Sequence, residues 1–291
     1  MQINSDLVTI GLPFFNNEKT LLYAIKSILG QTYSNFELYL IDDGSTDSSY
    51  EIARKISETD PRVKLIIDGE NRGLVSRLNQ IIDLANGNYI ARMDADDIMM
   101  KTKLEKQIKL LKEKPSIDVI ATGAFTIDEN NNITGVRDTK PIQIKTAKNV
   151  IKTAILIHPT IVAKKSWCLE NKYDSGFHRA EDYELWCRTF HKTKFFRISE
   201  PLFFYREGKV SLRNYSLSMR TLRKIFRVYG PKYLSFSERN VEIAKTYIKN
   251  GLYQTFGVFK MQNLLSARRN QKLSDSDYAQ ANAILQDLID T

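Results

Sequence analysis

Residues 89–97 read Tyr89-Ile90-Ala91-Arg92-Met93-Asp94-Ala95-Asp96-Asp97. A short run suited to a strand, Tyr89 to Met93, stops against three carboxylates, and the turn pair Asn86-Gly87 stands just before it. The same unit recurs upstream. Leu7 to Leu12 is followed by Phe14-Phe15-Asn16-Asn17, Phe36 to Ile41 by Asp42-Asp43-Gly44-Ser45, and Val63 to Ile67 by Asp68-Gly69-Glu70-Asn71-Arg72-Gly73. Pro13 marks the expected end of the first strand, because proline cannot donate to a central ladder. Between these runs apolar residues return at helical spacing: Leu21, Leu22, Ile25, Ile28 and Leu29; then Tyr50, Ile52, Ala53 and Ile56; then Leu74, Leu78, Ile81, Ile82 and Ala85. Four strands alternating with three helices predict an α/β fold with right-handed crossovers and a parallel sheet covered on both faces. Ligands of such sheets bind beyond the carboxyl ends of the strands, and here that edge collects acids, amides and an arginine.

Past Asp97 the alternation loosens. Leu104, Ile108 and Leu111 predict a helix ending near Pro115, Val119 to Thr122 a strand, and Asn130-Asn131-Asn132 a hairpin turn. A helix from Glu181 to Phe190 precedes two strands, Lys194 to Ile198 and Leu202 to Tyr205, and after Ser211 the pattern is mostly helical.

The 291 residues carry 43 Lys and Arg against 34 Asp and Glu, a net charge of +9, with 42% hydrophobic and 26% charged residues. That composition excludes disordered and collagenous chains, and the length suffices for a sizeable core without metal or disulfide staples. Cys168 and Cys187 are isolated, which fits reduced, intracellular thiols. No apolar run approaches the roughly 18 residues that span a bilayer, and residues 1–6 lack a signal-peptide pattern, so a cytoplasmic location is expected. From 201 to 291 there are 15 Lys and Arg against 7 Asp and Glu, so the basic excess belongs to the C-terminal part. Such asymmetry points to phosphates or an anionic membrane surface as partner.

Asp94 and Asp96, one residue apart at a strand end with Asp97 adjoining, make an oxygen-rich site suited to a hard divalent cation, Mg²⁺ or Mn²⁺. The spacing alone is weak, since Asp275-Ser276-Asp277 repeats it at what reads as a helix start. Asp42-Asp43-Gly44-Ser45 is equally ordinary turn chemistry, and Glu181-Asp182 fits the first turn of a helix, where acids meet the positive dipole end.

Taken in order, however, the motifs resemble family 2 glycosyltransferases of the GT-A fold. The resemblance rests on residues 8–16, on Ser27-Ile28-Leu29-Gly30-Gln31-Thr32-Tyr33, on Phe36-Glu37-Leu38 with Asp42 to Asp47, and on Glu70-Asn71-Arg72-Gly73. It continues through Asn86-Gly87-Asn88-Tyr89-Ile90 into Asp94-Ala95-Asp96-Asp97, and Glu181-Asp182-Tyr183-Glu184-Leu185-Trp186 is similar to the family's later acidic motif. It spans roughly Val8 to Ser211, most strongly to Asp97.

The resemblance implies an inverting nucleotide-sugar transferase with a GT-A catalytic domain over 1–211, divided into a nucleotide-sugar half (1–97) and an acceptor half (98–211), and a helical basic region over 212–291. It implies Asp96 as the main metal ligand and Asp94 near the ribose and metal waters, with Ala95 between them lining the donor site. Asp42 or Asp43 would accept from a uracil imide, the chain around Pro13, Phe14, Phe15, Asn16 and Glu18 would line the base pocket, and Arg72 would reach base or phosphate. Asp182 is the implied general base, with Glu181 as fallback. His158 would face the acceptor, and Trp186 is either an acceptor wall or core. After Tyr205-Arg206 the family often carries a His, where this chain has Gly208 and Lys209; that departure argues against a His metal ligand and leaves Lys209 as a point charge for the diphosphate.

The reading is a hexosyl- or N-acetylhexosaminyltransferase, using a UDP-sugar and Mn²⁺ or Mg²⁺, that modifies a glycan or lipid-linked acceptor in bacterial surface-polysaccharide synthesis. A nucleotidyltransferase or a catalytically silent sugar-nucleotide-binding protein is the alternative, although Pro13-Phe14-Phe15-Asn16 is no Gly-rich phosphate loop. Nucleic acid is not an expected partner, because no zinc-finger, RRM or KH signature appears and the basic residues spare the acidic edge. Met219, Leu222, Ile225, Phe226 and Tyr229, set among Arg220, Arg223, Lys224 and Arg227, form a basic amphipathic helix ended by Gly230-Pro231. Its stripe either packs on the catalytic domain or lies on the anionic inner face of the plasma membrane.

Overall fold

The structure is a computed structural model that describes residues 6–142, 146–208, 211–258 and 270–290. Its first half follows the alternation: β1 (Val8–Phe14), α1 (Leu21–Leu29), β2 (Phe36–Asp42), α2 (Ser49–Ser57), β3 (Val63–Ile66), α3 (Leu74–Leu84) and β4 (Tyr89–Arg92). Then come β5 (Ile98–Met99), α4 (Lys103–Glu113), β6 (Val119–Ile127), β7 (Ile133–Arg137), α5 (Ala147–Lys152), β8 (Val162–Lys164), α6 (Lys165–Glu170), α7 (Glu181–Thr189) and β9 (Phe195–Arg206). The C-terminal part adds α8 (Leu212–Val228), α9 (Gly230–Tyr233), α10 (Phe236–Val258) and α11 (Asp275–Asp290).

Among the described residues one sheet runs β3-β2-β1-β4-β8-β6-β9-β5, with β7 paired to β6. The first four strands are mutually parallel, as expected. Beyond β4 the antiparallel β8 is inserted between β4 and β6, so the sheet is mixed.

Two boundaries differ from expectation, each for a local reason. β1 continues through Pro13, which pairs in register with Ile41. Gly11 O accepts from Met93 on the β4 side, while Phe14 O accepts from Asp43 on the β2 side. Strand alternation therefore turns the Pro13 nitrogen toward β4, past the last β1–β4 pair at Gly11–Arg92, where no donor is needed. The two strands expected over 194–205 are a single β9. Its register with β6 jumps from Ile198↔Thr122 to Pro201↔Gly123, so Ser199 and Glu200 form a bulge, and their carbonyls approach Gly123 so closely that a side chain there would press on them.

Both faces of the sheet are covered. On one, Val8, Ile10 and Leu12 of β1 meet α1 and α4. On the other, Tyr39, Ile41 and Ile90 meet α3, Trp167 of α6, Leu185 and Trp186 of α7, and Ile225 and Phe226 of α8. α3 lies so near β1 that a Cβ on Gly11 would be 2.5 Å from an Ile81 methyl. That approach brings the α3 N-terminus beside the strand ends. The apolar stripe of α8 is thus spent on the core, and α11 packs Ala281, Leu285 and Leu288 against Phe125 and Phe204. Asp275 and Asp277 begin α11, as read from the sequence.

Candidate active site

The loops after β1, β2 and β3 are stitched into one rim by hydrogen bonds. Asn16, whose positive φ of 53° an asparagine tolerates, donates its N–H to Ser45 Oγ, and its Oδ1 accepts from Thr46 N–H. Asn17 N–H donates to Ser49 Oγ, Glu18 N–H to Asp47, and the Glu18 carboxylate accepts from Ser48 N–H. Asp42 accepts from Ser45 N–H across the turn at Gly44, whose φ of 80° suits glycine. Phe15 stands out from this rim, 46% exposed.

Asp43 connects the rim to the next loop. Its Oδ1 accepts from Arg72 N–H, Gly73 N–H and the Arg77 guanidinium, and its Oδ2 from Gly73 N–H. Arg77 is fully buried and also pairs with Asp68 through both terminal nitrogens. These bonds hold Asp68 well below the usual carboxylate range. The Arg72 side chain turns to Asp68 and Glu70. Arg77 was missed in the sequence, although it falls on the apolar face of its helix, three residues after Leu74 and four before Ile81; a charge in that register signals a buried anchor.

At the end of β4, Asp94, Asp96 and Asp97 each offer a carboxylate oxygen, all within 4.8 Å of one another. Burial first, then the Asp94 charge, push Asp96 up to about 6. Burial together with Asp96 and Asp94 also raises Asp97 well above an ordinary aspartate. Asp97 Oδ1 accepts from Arg206 N–H at 2.7 Å, while its buried Oδ2 has no partner among the described residues. Three close carboxylates, of which burial and neighbouring charge raise Asp96 and Asp97, with Asp97 Oδ2 left without a partner among the described residues, fit a hard divalent cation.

A cleft of about 1020 Å³ opens beside this cluster, lined by Asp94, Arg92, His158, Glu181, Asp182 and Tyr205 among others. Glu181 and Asp182 occupy the first turn of α7, where the dipole favours charge. Burial and the Asp182 charge nevertheless push Glu181 up to about 7, and burial raises Asp182. Arg92 connects the two acidic groups: it binds Asp94 at 2.5 Å and faces Tyr173, Glu181 and Asp182. Burial disfavours its charge, and Asp94 with these neighbours more than offsets that. Its signal in the sequence is the lone charge in the run Tyr89 to Met93.

His158 lies on the cleft wall, its Nε2 2.7 Å from the Tyr173 hydroxyl; burial and then Arg92 hold it neutral. Trp186 lies behind it. At 1% exposure it packs edge-on to His158 and Phe195 and against Trp167. Of its two expected positions it takes the core one and forms no acceptor wall. Lys209 lies outside the described residues.

A sheet with its parallel half at the nucleotide-type edge, an aspartate cluster at the end of β4 and an acid pair across a cleft define a GT-A transferase architecture. Residues 9–169 match the model for glycosyl transferase family 2, and the chain belongs to that family. It is 31% identical over 234 residues to the O-antigen biosynthesis glycosyltransferase WbnJ of Escherichia coli, covering 76% of this chain and 90% of that protein. It is 34% identical over 180 residues to the E. coli UDP-Glc:alpha-D-GlcNAc-diphosphoundecaprenol beta-1,3-glucosyltransferase WfgD, covering 62% of this chain and 68% of that one. The fold is shared with the mannosyltransferase PcManGT of Pyrobaculum calidifontis, solved with GDP-Man and Mn²⁺, at a TM-score of 0.58 and 16% identity over 97% of this chain and 84% of that one.

Proposed function

We propose that this glycosyltransferase is inverting and metal-dependent, and moves a hexosyl or N-acetylhexosaminyl group from a nucleotide sugar, UDP-linked by preference, to a hydroxyl of a glycan or lipid-linked acceptor in surface-polysaccharide synthesis. The observation that carries this reading is that Asp94 and the Glu181–Asp182 pair line one cleft with Arg92, whose charge interacts with all three. Inversion by one displacement needs a base and a leaving group on opposite sides of the anomeric carbon, and on this reading the Glu181–Asp182 pair serves the first and the aspartates after β4 serve the second.

Asp182 takes the proton of the acceptor hydroxyl as the glycosidic bond to the nucleotide breaks, and Glu181 stands beside it as the fallback base. Asp96 and Asp94 would hold Mn²⁺ or Mg²⁺, which when bound would supply Lewis-acid stabilisation to a departing diphosphate. Asp42 or Asp43 accepts from the base imide, and the chain from Pro13 to Asn16, with Glu18 stitching it to β2, walls the base. Because Asp43 also holds Arg72 and Gly73 by their N–H groups, base binding and the 70–73 loop are linked. His158, neutral, borders the acceptor, and Arg72 serves the base or a phosphate. The 1–97 half carries donor functions and 98–211 the acceptor side. No helix among the described residues is long and apolar enough to cross a membrane. We place the protein at the cytoplasmic membrane face through its basic C-terminal region, a position that suits the lipid-linked acceptor named for WfgD.

A screen of nucleotide sugars with Mn²⁺ present tests the reading. One donor class should be consumed, faster once its acceptor is added; a chain that consumes none of them is not a transferase.

A further inference from the structure

The cleft lined by Asp94 is also lined by Lys152, Arg179 and the α10 residues Glu242, Lys245, Thr246 and Lys249. Most of its cations are already neutralised: Arg92 by Asp94, Arg137 by Glu207, Lys152 by Glu238 and Lys245 by Glu242. Arg179 and Lys249 have no ion-pair partner among the described residues, and both are exposed.

Arg179 is also backbone-strained. Its φ is +62°, and the other non-glycine residues with positive φ are Asn16, Asn131 and Asp138, types that adopt this region readily. An arginine there is disfavoured, because its Cβ crowds the following carbonyl oxygen. α8 imposes the conformation: Thr221 Oγ1 donates to His178 O and Ser218 Oγ to Arg179 O. Strain of this kind persists where the surroundings over-determine it, and such positions cluster at binding sites. Arg179 precedes the Glu181–Asp182 pair by two residues and lines the same cleft.

α10 supplies the second cation and a third feature. Lys245 and Lys249, four residues apart, share its cleft face, while Val241, Ile248 and Leu252 are exposed apolar residues of the same helix. A ligand held at Lys249 therefore meets apolar surface on leaving the cleft.

We infer that Arg179 and Lys249 form a subsite for a phosphate or diphosphate group carried by the acceptor. The inference rests on the transfer reading above and names its acceptor class: an anionic acceptor whose phosphate lies beyond the reacting hydroxyl and whose apolar tail, where it has one, runs along Val241, Ile248 and Leu252. Arg179 and Lys249 act here as binding and specificity residues; proton transfer stays with Asp182.

The test is direct binding to the full chain, read without turnover. Dodecyl diphosphate, inorganic pyrophosphate and neutral dodecyl glucoside are titrated calorimetrically against the wild type, Arg179→Gly, Arg179→Lys and Lys249→Gln. Arg179→Gly relieves the backbone strain, so its melting temperature should equal or exceed that of the wild type. Its affinity for dodecyl diphosphate should nonetheless fall about 10- to 100-fold, the loss expected for a charge-assisted contact. Lys249→Gln should fall similarly and Arg179→Lys less. Tighter binding of dodecyl diphosphate than of pyrophosphate assigns the group to a lipid carrier, and equal binding assigns it to a soluble phosphate acceptor. The subsite is overturned by three results: diphosphate binding no stronger than the neutral glucoside, unchanged affinity in Arg179→Gly and Lys249→Gln, or competition by UDP, which would make the site the donor's. Donor consumption is measured separately, so a chain that binds dodecyl diphosphate through these residues yet consumes no nucleotide sugar loses the transfer reading and keeps the subsite.

Discussion

The backbone N–H of Arg206 donates to Asp97 Oδ1 at 2.7 Å across 109 positions of sequence, joining the end of β9 to the aspartate cluster. The Arg206 side chain completes the tie through Asp96 O, Asp128 O and Asn131 Oδ1. Asp97 therefore works as an acceptor that fixes the loop, and burial with its acidic neighbours raises its pKa and favours the neutral form. Asp97→Ala should lose about 1–3 kcal/mol by orphaning a buried N–H. Asp97→Asn, which keeps the oxygen, should melt near the wild type. Equal destabilisation of both variants in urea unfolding would mean that the charge matters and the acceptor does not.

The closeness of Asp94, Asp96 and Asp97 leads us to expect metal-dependent transfer. Chelation should abolish transfer, and added Mn²⁺ or Mg²⁺ should restore it. Asp96→Ala should lose activity with its circular dichroism and melting temperature kept. Full turnover by that variant in chelator would reject the site.

The pair at the start of α7 makes turnover pH-dependent. With Glu181 pushed up to about 7 and Asp182 raised, the pair retains a proton in mild acid. Because a base must be ionised to act, kcat should rise with pH out of the mildly acidic range and then level off. Asp182→Asn should lower kcat by roughly 10²–10⁴ with donor affinity kept. Stability moves the other way: raised native pKa values mean the folded state binds these protons more tightly, so stability declines as pH rises from about 4.5 through about 7. Glu181→Gln should flatten that decline in a pH series of thermal melts. A base role confined to Glu181 would show as a kcat loss in Glu181→Gln and none in Asp182→Asn.

What the sequence made legible was set by local chemistry. β1 to β4 and their helices announce themselves because each strand is a short apolar run and each loop after it is polar, and the order of those loops carried the family resemblance. β8 was missed because Val162–Lys164 is three residues long and is held by antiparallel pairing with β4 and β6, a relation no local period encodes. β5, at two residues, has the same difficulty. Among site residues the aspartates were visible at strand ends, whereas Arg77 and Arg92 act through partners brought close only by folding. Trp186 shows the converse: a motif position beside the base pair whose side chain the fold uses as core.

Lys103 opens α4 fully buried, its Nζ without a hydrogen-bond partner among the described residues and 5.7 Å from the Phe203 ring centroid. Burial pushes it down to about 7. The unfolded chain therefore holds this proton more tightly, and stability should rise with pH from about 7 toward 10.5 as the penalty on the buried charge is relieved. The ring face offsets part of that penalty. Lys103→Met should stabilise by about 1–3 kcal/mol at pH 7 and by less at pH 10. Destabilisation at pH 7 would show that the ammonium makes a contact worth more than its burial.

Peripheral membrane contact is the last expectation, and the packing of α8 sharpens it. Met219, Ile225 and Phe226 are buried, so the stripe that would have inserted is taken up by the core. Of the four cations set along its stripe, two are also engaged: Arg223 lies over the Tyr247 ring and donates to Thr246, and Lys224 donates to Gly176 O over the Phe177 ring. Arg220 and Arg227 remain exposed. Adsorption through this helix is therefore electrostatic, at on the order of 1 kcal/mol per cation near an anionic surface. It should be strong on phosphatidylserine or phosphatidylglycerol vesicles at low salt and weak once the Debye length shrinks to about 3 Å in 1 M salt. Changing Arg220, Arg223, Lys224 and Arg227 to Gln should weaken vesicle co-sedimentation, and Arg220→Gln with Arg227→Gln alone should reproduce most of that loss. Turnover of a soluble acceptor analogue should be retained by the double variant. Co-sedimentation that is absent at low salt, or untouched by all four substitutions, removes α8 as a membrane contact.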